Sequence, residues 1–349
     1  MPVKLGVIGC GVIGRKHLEA ARDDEHIDVV AVADLDPDAR ESAKREYDVP
    51  KAYDSAEALI ADGEIDAVVC ALITGVRGKV AVAAAKAGKH VLLEKPPAMS
   101  ADELAAIGDA ADASGVTLGC CSARMTFNAV AEEGRRVVDS GVLGPIRTIH
   151  VRCVKPVQAS NPDHTPPKWR VRHDLNGGGY LVNWGVYDLD FMLYVLGDAF
   201  EPDATLAQMW PVAPHLATGR VDPASDAECH VVALVRGRGG ETLFLERGEF
   251  TSLPASMRWQ IAGERGAMTL QMLAGKDQPT LVLHRAEAQQ GLIDEVVLED
   301  FGEDVQHPMP VRDFAQAIRE QRPPRTSFDR AMRLQRILDA IYGSARAGG

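Results

Sequence analysis

Two stretches of this chain hold residue types whose spacing suggests chemistry. In one, the apolar run His90-Val91-Leu92-Leu93 stops at Glu94-Lys95, and Pro96-Pro97 follows. A charged pair closing a buried strand is either a strand surfacing into water or a pair delivered into a site. A lysine so placed can meet a substrate hydroxyl, and Lys95–Pro96 is a bond type at which the cis form is accessible. In the other stretch, Gly9-Cys10-Gly11-Val12-Ile13-Gly14 fits G-x-G-x-x-G. The first glycine allows a tight turn, the second a close approach of backbone N–H groups to a pyrophosphate, and the third close packing of helix on strand. Asp34 stands 20 residues beyond Gly14, where a carboxylate can accept both ribose hydroxyls of an adenosine. Such a carboxylate repels a 2′-phosphate, and the next residue is Leu35, so NAD is favoured over NADP. Arg40 is near in sequence but belongs to the following helix.

The elements that must position these groups follow from hydrophobic patterning. Residues 3–121 alternate short apolar runs with amphipathic stretches, as in KLGVIG, IDVVAVAD, AVVCALI and HVLLEK with helices between them. Strands with little alternation are buried on both faces, which implies a parallel sheet between helices. From about residue 146 the texture changes to closely spaced strands without intervening helices, an antiparallel pattern. A helix over 180–196 interrupts them, and helices over 311–321 and 328–347 close the chain. The expected fold is α/β: an N-terminal Rossmann dinucleotide-binding domain over 1–122, then an α+β domain over 123–349 with a large, mostly antiparallel sheet. This second domain is expected to bind substrate and to oligomerise, and the last helix has the apolar spacing to pack back on the first domain. HVVALV and TLFLERGEF are apolar on both faces, which predicts a homodimer or homotetramer joined through the sheet.

Composition excludes several classes. The 349 residues carry a formal net charge of -12, which argues against nucleic acid and anionic membranes as partners. No apolar run approaches about 18 residues, the length a membrane-spanning helix needs. The six cysteines show no C-x-x-C spacing, and the N-terminus opens a strand rather than a signal peptide, so a cytoplasmic protein with reduced thiols is expected. There is no H-E-x-x-H or other compact ligand spacing, so no metal is expected, and no G-x-S-x-G elbow.

The opening loop, the acid after the second strand and AGKHVLLEKP together resemble the Gfo/Idh/MocA oxidoreductases. The resemblance continues through DSGVLGPIRTI at 139–149, Trp169-Arg170, GGGYLVNWGVYDLD at 177–190 and DFAQAIREQRPP, and so covers nearly the whole chain. It implies oxidation or reduction of hydroxyl and keto groups of sugars, inositols and related polyols with NAD(P). It also implies cofactor contacts from Gly9, Gly11, Val12, Ile13, Gly14, Asp34, Leu35, Leu72, Thr74, Glu94, Lys95, Trp169 and Arg170. Two departures stand out. The histidine of the family's Thr-Pro-Asn-x-x-His segment is Arg77 here. In the later Asp-x-Gly segment the usual Asp is Asn183 and the usual His is Tyr187.

Hydride transfer from a secondary alcohol needs a group to take the hydroxyl proton and a charge to stabilise the developing alkoxide. Tyr187 is the expected acid/base with Lys95 as electrostatic partner and substrate ligand, and the reverse assignment stays open. Asn183, four residues before Tyr187, is expected on the same helix face and on a substrate hydroxyl. Asp190 is a candidate to orient Tyr187 or to tie the helix to a neighbouring element. Arg124 and Arg77 follow strand ends and are candidates for a substrate carboxylate or phosphate. Two other readings remain: an NAD-retaining glycosidase working by transient oxidation, and a catalytically silent NAD-binding sensor or regulator.

Overall fold

The computed structural model describes residues 1–158, 167–197, 199–213, 224–273, 280–303 and 305–347. Its contacts divide the chain into two units. One comprises Met1–Arg124 with Val305–Gln335, the other Met125–Asp304 with Arg336–Gly349.

The first unit is built on β1 (Val3–Ile8), β2 (Ile27–Ala33), β3 (Lys51–Tyr53), β4 (Ala67–Cys70), β5 (His90–Leu93) and β6 (Leu118–Cys120), in the order β3-β2-β1-β4-β5-β6. All neighbours are parallel. The connections are α1 (Val12–Arg22), α2 (Pro37–Glu46), α3 (Ala56–Ile60), α4 (Thr74–Lys86) and α5 (Ala101–Ser114). This is the doubly wound arrangement that the apolar runs imply. All of β4 and the last three residues of β5 are buried, because helices cover both sheet faces. Local chemistry sets the boundaries. Ser100 caps α5 by accepting the Glu103 N–H, Glu103 accepts the Met99 N–H in return, and Gly115 at φ +65° ends the helix. The later segment of this unit is not peripheral. Phe314 reaches the sheet core, and a Cβ on Gly108 of α5 would lie 2.4 Å from the Phe328 ring.

The second unit holds α6 (Ala129–Asp139), β7 (Ile146–Pro156), α7 (His173–Asn176), α8 (Val186–Val195), β8 (Pro202–Trp210), β9 (His230–Gly237), β10 (Thr242–Thr251), β11 (Ser256–Gly263), β12 (Ala267–Leu270), β13 (Leu281–Glu287) and β14 (Gly291–Leu298). The strands form one eight-stranded sheet, β14-β13-β12-β11-β7-β10-β9-β8. It is antiparallel except where β7 and β10 pair in parallel. On one face Val231, Ala233, Val235, Leu245, Trp259 and Ile261 are buried. Helix α6 packs closely on the sheet and on α8: a Cβ on Gly134 would lie 2.6 Å from Leu270 of β12 and 3.3 Å from Val195 of α8. On the other face Leu206, Val232, Leu234 and Phe244 are exposed. Helices α9 (Met309–Glu320) and α10 (Phe328–Ala347) end the chain, and the α10 bounds are those expected from its spacing.

Several elements depart from expectation. The helix expected over 180–196 is a π turn over Leu181–Gly185 followed by α8. Strand β3, helix α3, the 3₁₀ turn Cys121–Phe127, α6 and β8 were not anticipated. β8 is an edge strand with only Ala207 buried, so it lacks the alternation that marks a strand.

Candidate active site

The glycine loop leaves β1 at Gly9, whose φ is +100° and whose Cβ would lie 2.5 Å from the Ala71 carbonyl oxygen. A Cβ on Gly14 would lie 1.8 Å from the Gly9 carbonyl oxygen, so the helix can approach the strand only without a side chain there. A Cβ on Gly11 would meet nothing within 4 Å. Its lack of a side chain therefore answers no contact inside the protein. Helix α1 begins at this glycine with no side-chain cap and no acid in its first turn, which suits its positive end to a pyrophosphate. Val12 and Leu35 stand exposed on either side, and Ile13 is half-buried. Asp34 Oδ2 accepts the Cys10 N–H at 2.7 Å and Oδ1 the Asp36 N–H at 2.9 Å, which fixes the carboxylate against the loop. Each oxygen keeps a second lone pair for a ribose hydroxyl. Arg40 Nη1 donates to the Asp34 carbonyl at 3.0 Å. These residues fit a dinucleotide.

Glu94 and Lys95 part company at the end of β5, which corrects the expectation of a delivered pair. Lys95 is half-buried, whereas Glu94 is 3% exposed and turns into the unit. Glu94 Oε1 accepts from Arg124 Nη2 at 2.5 Å and lies 2.9 Å from His17 Nε2. Oε2 accepts the Lys95 N–H at 3.0 Å. Burial alone pushes the Glu94 carboxyl upward, but Arg124, then His17 and Lys95, overturn this and hold it well below the usual carboxylate range. Arg124, expected on a substrate, is given Glu94 as its partner instead, and its guanidinium is 4% exposed. Arg77 is likewise turned inward, onto the carbonyls of Leu72, Glu94, Lys95 and Pro96. Thr74 is buried at the start of α4, and the Lys95–Pro96 bond is cis. His17, Glu94 and Cys121 present ligand-type atoms within 4.8 Å of one another. Arg124 already sits on the shared Glu94 oxygen, and its charge disfavours a metal cation there.

In the second unit, Asn183 and Tyr187 are both buried. Asn183 lies in the π turn and Tyr187 at the start of α8, about one helical turn apart. The Tyr187 ring meets Trp184 edge-on at 5.6 Å. Lys155 Nζ lies 5.1 Å and the Arg247 guanidinium 5.7 Å from the Trp184 ring centre. Asp190 is buried. Asp188 is buried too, and meets Arg247 at 3.1 Å, Trp259 Nε1 at 3.0 Å and Cys153 Sγ at 3.7 Å. The start of this segment hangs on Glu228. Its carboxylate accepts the N–H groups of Gly179 and Leu181 and the Tyr342 hydroxyl, all near 3 Å. A Cβ on Gly178 would strike Tyr342 and one on Gly179 the Glu228 carbonyl, which explains the glycine run. Trp169 and Arg170 are half-buried, the guanidinium 5.8 Å from the ring centre, and the Arg170 carbonyl accepts from Asn176 Nδ2 at 3.1 Å.

Sequence reasoning passed over His17, Lys155, Asp188, Glu228 and Arg247. The one available signal was a charged or polar residue inside an otherwise apolar element, as at Asp188 in VYDLDFMLYV and Arg247 in TLFLERGEFT.

Comparison with known proteins adds to this geometry. A family model described as an oxidoreductase family with an NAD-binding Rossmann fold matches residues 3–121, and one described as its C-terminal alpha/beta domain matches 135–349. A D-xylose 1-dehydrogenase (NADP(+)) of Haloferax volcanii is 30% identical over 98% of this chain and 97% of its own. A myo-inositol 2-dehydrogenase of Thermotoga maritima is 24% identical over 76% of this chain and 74% of its own. Among solved structures, a levoglucosan dehydrogenase in complex with NADH and levoglucosan superposes with a TM-score of 0.82 at 21% identity, covering 100% of this chain and 98% of that one.

Glu94→Gln leaves Arg124 buried without its counter-charge and should cost about 3–5 kcal/mol at neutral pH in urea unfolding. Because the folded carboxyl lies below its unfolded value of about 4.3, the stability it supplies is complete above that pH and fades as pH falls toward the folded value. The gap between wild type and variant should therefore narrow in acid, and equal stability at neutral pH would contradict the network. Separately, Gly11→Ala should fold normally yet weaken dinucleotide binding at least about tenfold, or 1.4 kcal/mol. Gly14→Ala should lower folding stability by about 1–3 kcal/mol through the clash with the Gly9 carbonyl. Unaltered dinucleotide affinity in Gly11→Ala would remove the loop from the cofactor site.

Proposed function

The chain belongs to the Gfo/Idh/MocA family of oxidoreductases, and we propose that it transfers a hydride between NAD and a hydroxyl or keto group of a sugar, inositol or related polyol. The observation that carries this reading is Lys95 at the carboxyl end of β5, in the same sheet whose β1 leads into the dinucleotide loop. The named substrates of the relatives, D-xylose and myo-inositol, and the levoglucosan of the similar structure support the substrate class. Lys95 holds the reacting oxygen and stabilises negative charge on it as the hydroxyl proton leaves. Tyr187 exchanges that proton, and Asn183 binds a neighbouring hydroxyl. The nicotinamide, when bound, accepts or returns the hydride. Asp34 supports NAD, since its fixed carboxylate opposes a 2′-phosphate. Arg40 beside it and the NADP-dependent relative support the NADP reading, which affinity measurements separate. The six cysteines are buried and form no disulfide, which supports the cytoplasm as its compartment.

The test is a panel of aldoses, inositols and anhydrosugars assayed for net NADH. At least one should be oxidised, with NAD bound at least about tenfold tighter than NADP. Lys95→Met should lower turnover about 10²-fold or more, and Tyr187→Phe by about 10²–10⁴-fold, with NAD affinity little changed in either. Glycoside cleavage without net NADH would favour the redox-neutral glycosidase. Tight NAD binding with no turnover would favour the sensor.

We also propose that two or four copies join through the open face of the eight-stranded sheet. Leu206 at 65% exposure pairs across strands with Leu234 at 39%, and Leu234 with Phe244 at 39%, an apolar row of the kind that marks an interface. Light scattering at micromolar concentration should give a dimer or tetramer that Leu234→Glu with Phe244→Glu converts to monomer. A wild-type monomer would contradict this.

A further inference from the structure

We propose that Arg77 is a positioning residue whose task is to hold the backbone from which Lys95 projects. This rests on the reading of Lys95 as the catalytic group. Arg77 occupies the first turns of α4 and is 3% exposed, so it is not available to a substrate. Its five N–H groups are all spent on backbone carbonyls. Nε donates to Leu72 at 3.1 Å, Nη1 to Glu94 at 2.5 Å and to Pro96, and Nη2 to Leu72 and, at 3.4 Å, to Lys95. One planar fork thus ties the exit of β4 to three successive carbonyls after β5. The Lys95 N–H is held separately by Glu94 Oε2. Both polar groups of the Lys95 backbone are therefore fixed, and its side chain starts from a backbone with little freedom to turn.

A buried guanidinium is costly when its charge meets only carbonyl dipoles, so this arrangement asks for a reason beyond packing. Burial pushes the Arg77 pKa down while the nearby Glu94 charge opposes the shift. A lysine at this position would offer donors from a single point and could not span the four carbonyl-bearing residues. A histidine, the residue the family resemblance puts here, would reach fewer still.

The experiment compares full-length wild type with Arg77→Lys and Arg77→His. Pulse labelling with acetic anhydride over a range of pH, read residue by residue by mass spectrometry, reports the reactivity of Lys95 without needing a substrate. Lys16 and Lys86, both exposed, serve as internal controls. The proposal expects the Lys95 labelling profile to change at least about threefold in both variants, with the controls unchanged. It also expects kcat on the substrate found in the panel to fall at least about tenfold while NAD affinity holds within about twofold. A lowered melting temperature with an unchanged Lys95 profile would make Arg77 a structural residue only and overturn the proposal. Should no sugar or polyol turn over in wild type, the functional reading fails while the labelling result still decides this one. Should neither variant fold, NMR of wild type decides. The proposal expects Arg77 guanidinium protons that are resolved and slow to exchange, and fast rotation with rapid exchange would overturn it.

Discussion

One buried carboxylate organises the first unit. Glu94 sits at the end of β5 with its oxygens divided among Arg124, His17 and the Lys95 N–H. Taking a carboxylate out of water is costly, and it remains ionised only because a guanidinium and several N–H donors surround it. The reward is geometric. The ionised side chain bonds the peptide N–H of the next residue, while Arg77 takes the carbonyls of Glu94, Lys95 and Pro96. The sheet supplies the place and the buried charges supply the orientation. A site built this way loses little entropy when a substrate arrives, because its backbone is already held.

The second unit uses a similar device. Asp188 in α8 bridges to Arg247 of β10 and Trp259 of β11, joining the helix to the sheet beneath it. Glu228 gathers the N–H groups that open the π turn and the Tyr342 hydroxyl of α10. Burial pushes the Glu228 carboxyl above its ordinary range, and the donors at Leu181, Tyr342 and Gly179 oppose that rise. Tyr187 and Asn183 therefore stand on a segment fixed at its start by one acid and along its length by another.

What the sequence made legible divides along a physical line. Local backbone chemistry was readable: the glycine loop, the strand–helix alternation and the span of α10 all follow from residue types that permit few conformations. The turn of Glu94 into the unit was not, because whether a strand-end acid faces water or a buried arginine depends on Arg124, 30 residues away. Arg77 and Arg124 read as ligand-binding groups for the same reason, since an arginine after a strand end looks alike in sequence whichever way it points. The π turn was hidden because Leu181–Gly185 has the composition of an ordinary helix start. The parallel pairing of β7 with β10 is a choice of topology that alternation cannot register.

Buried charges hold the Lys95 backbone as firmly as the sheet behind it. Amide hydrogen exchange at Lys95 in the wild-type protein tests this most directly, because its N–H is bonded to the Glu94 carboxylate rather than to a strand. Protection at Lys95 should be comparable to that of Leu92 and Leu93 in β5, with the three opening together. Exchange at Lys95 as fast as in the surface turn at Asp23–Glu25, with β5 still protected, would contradict it.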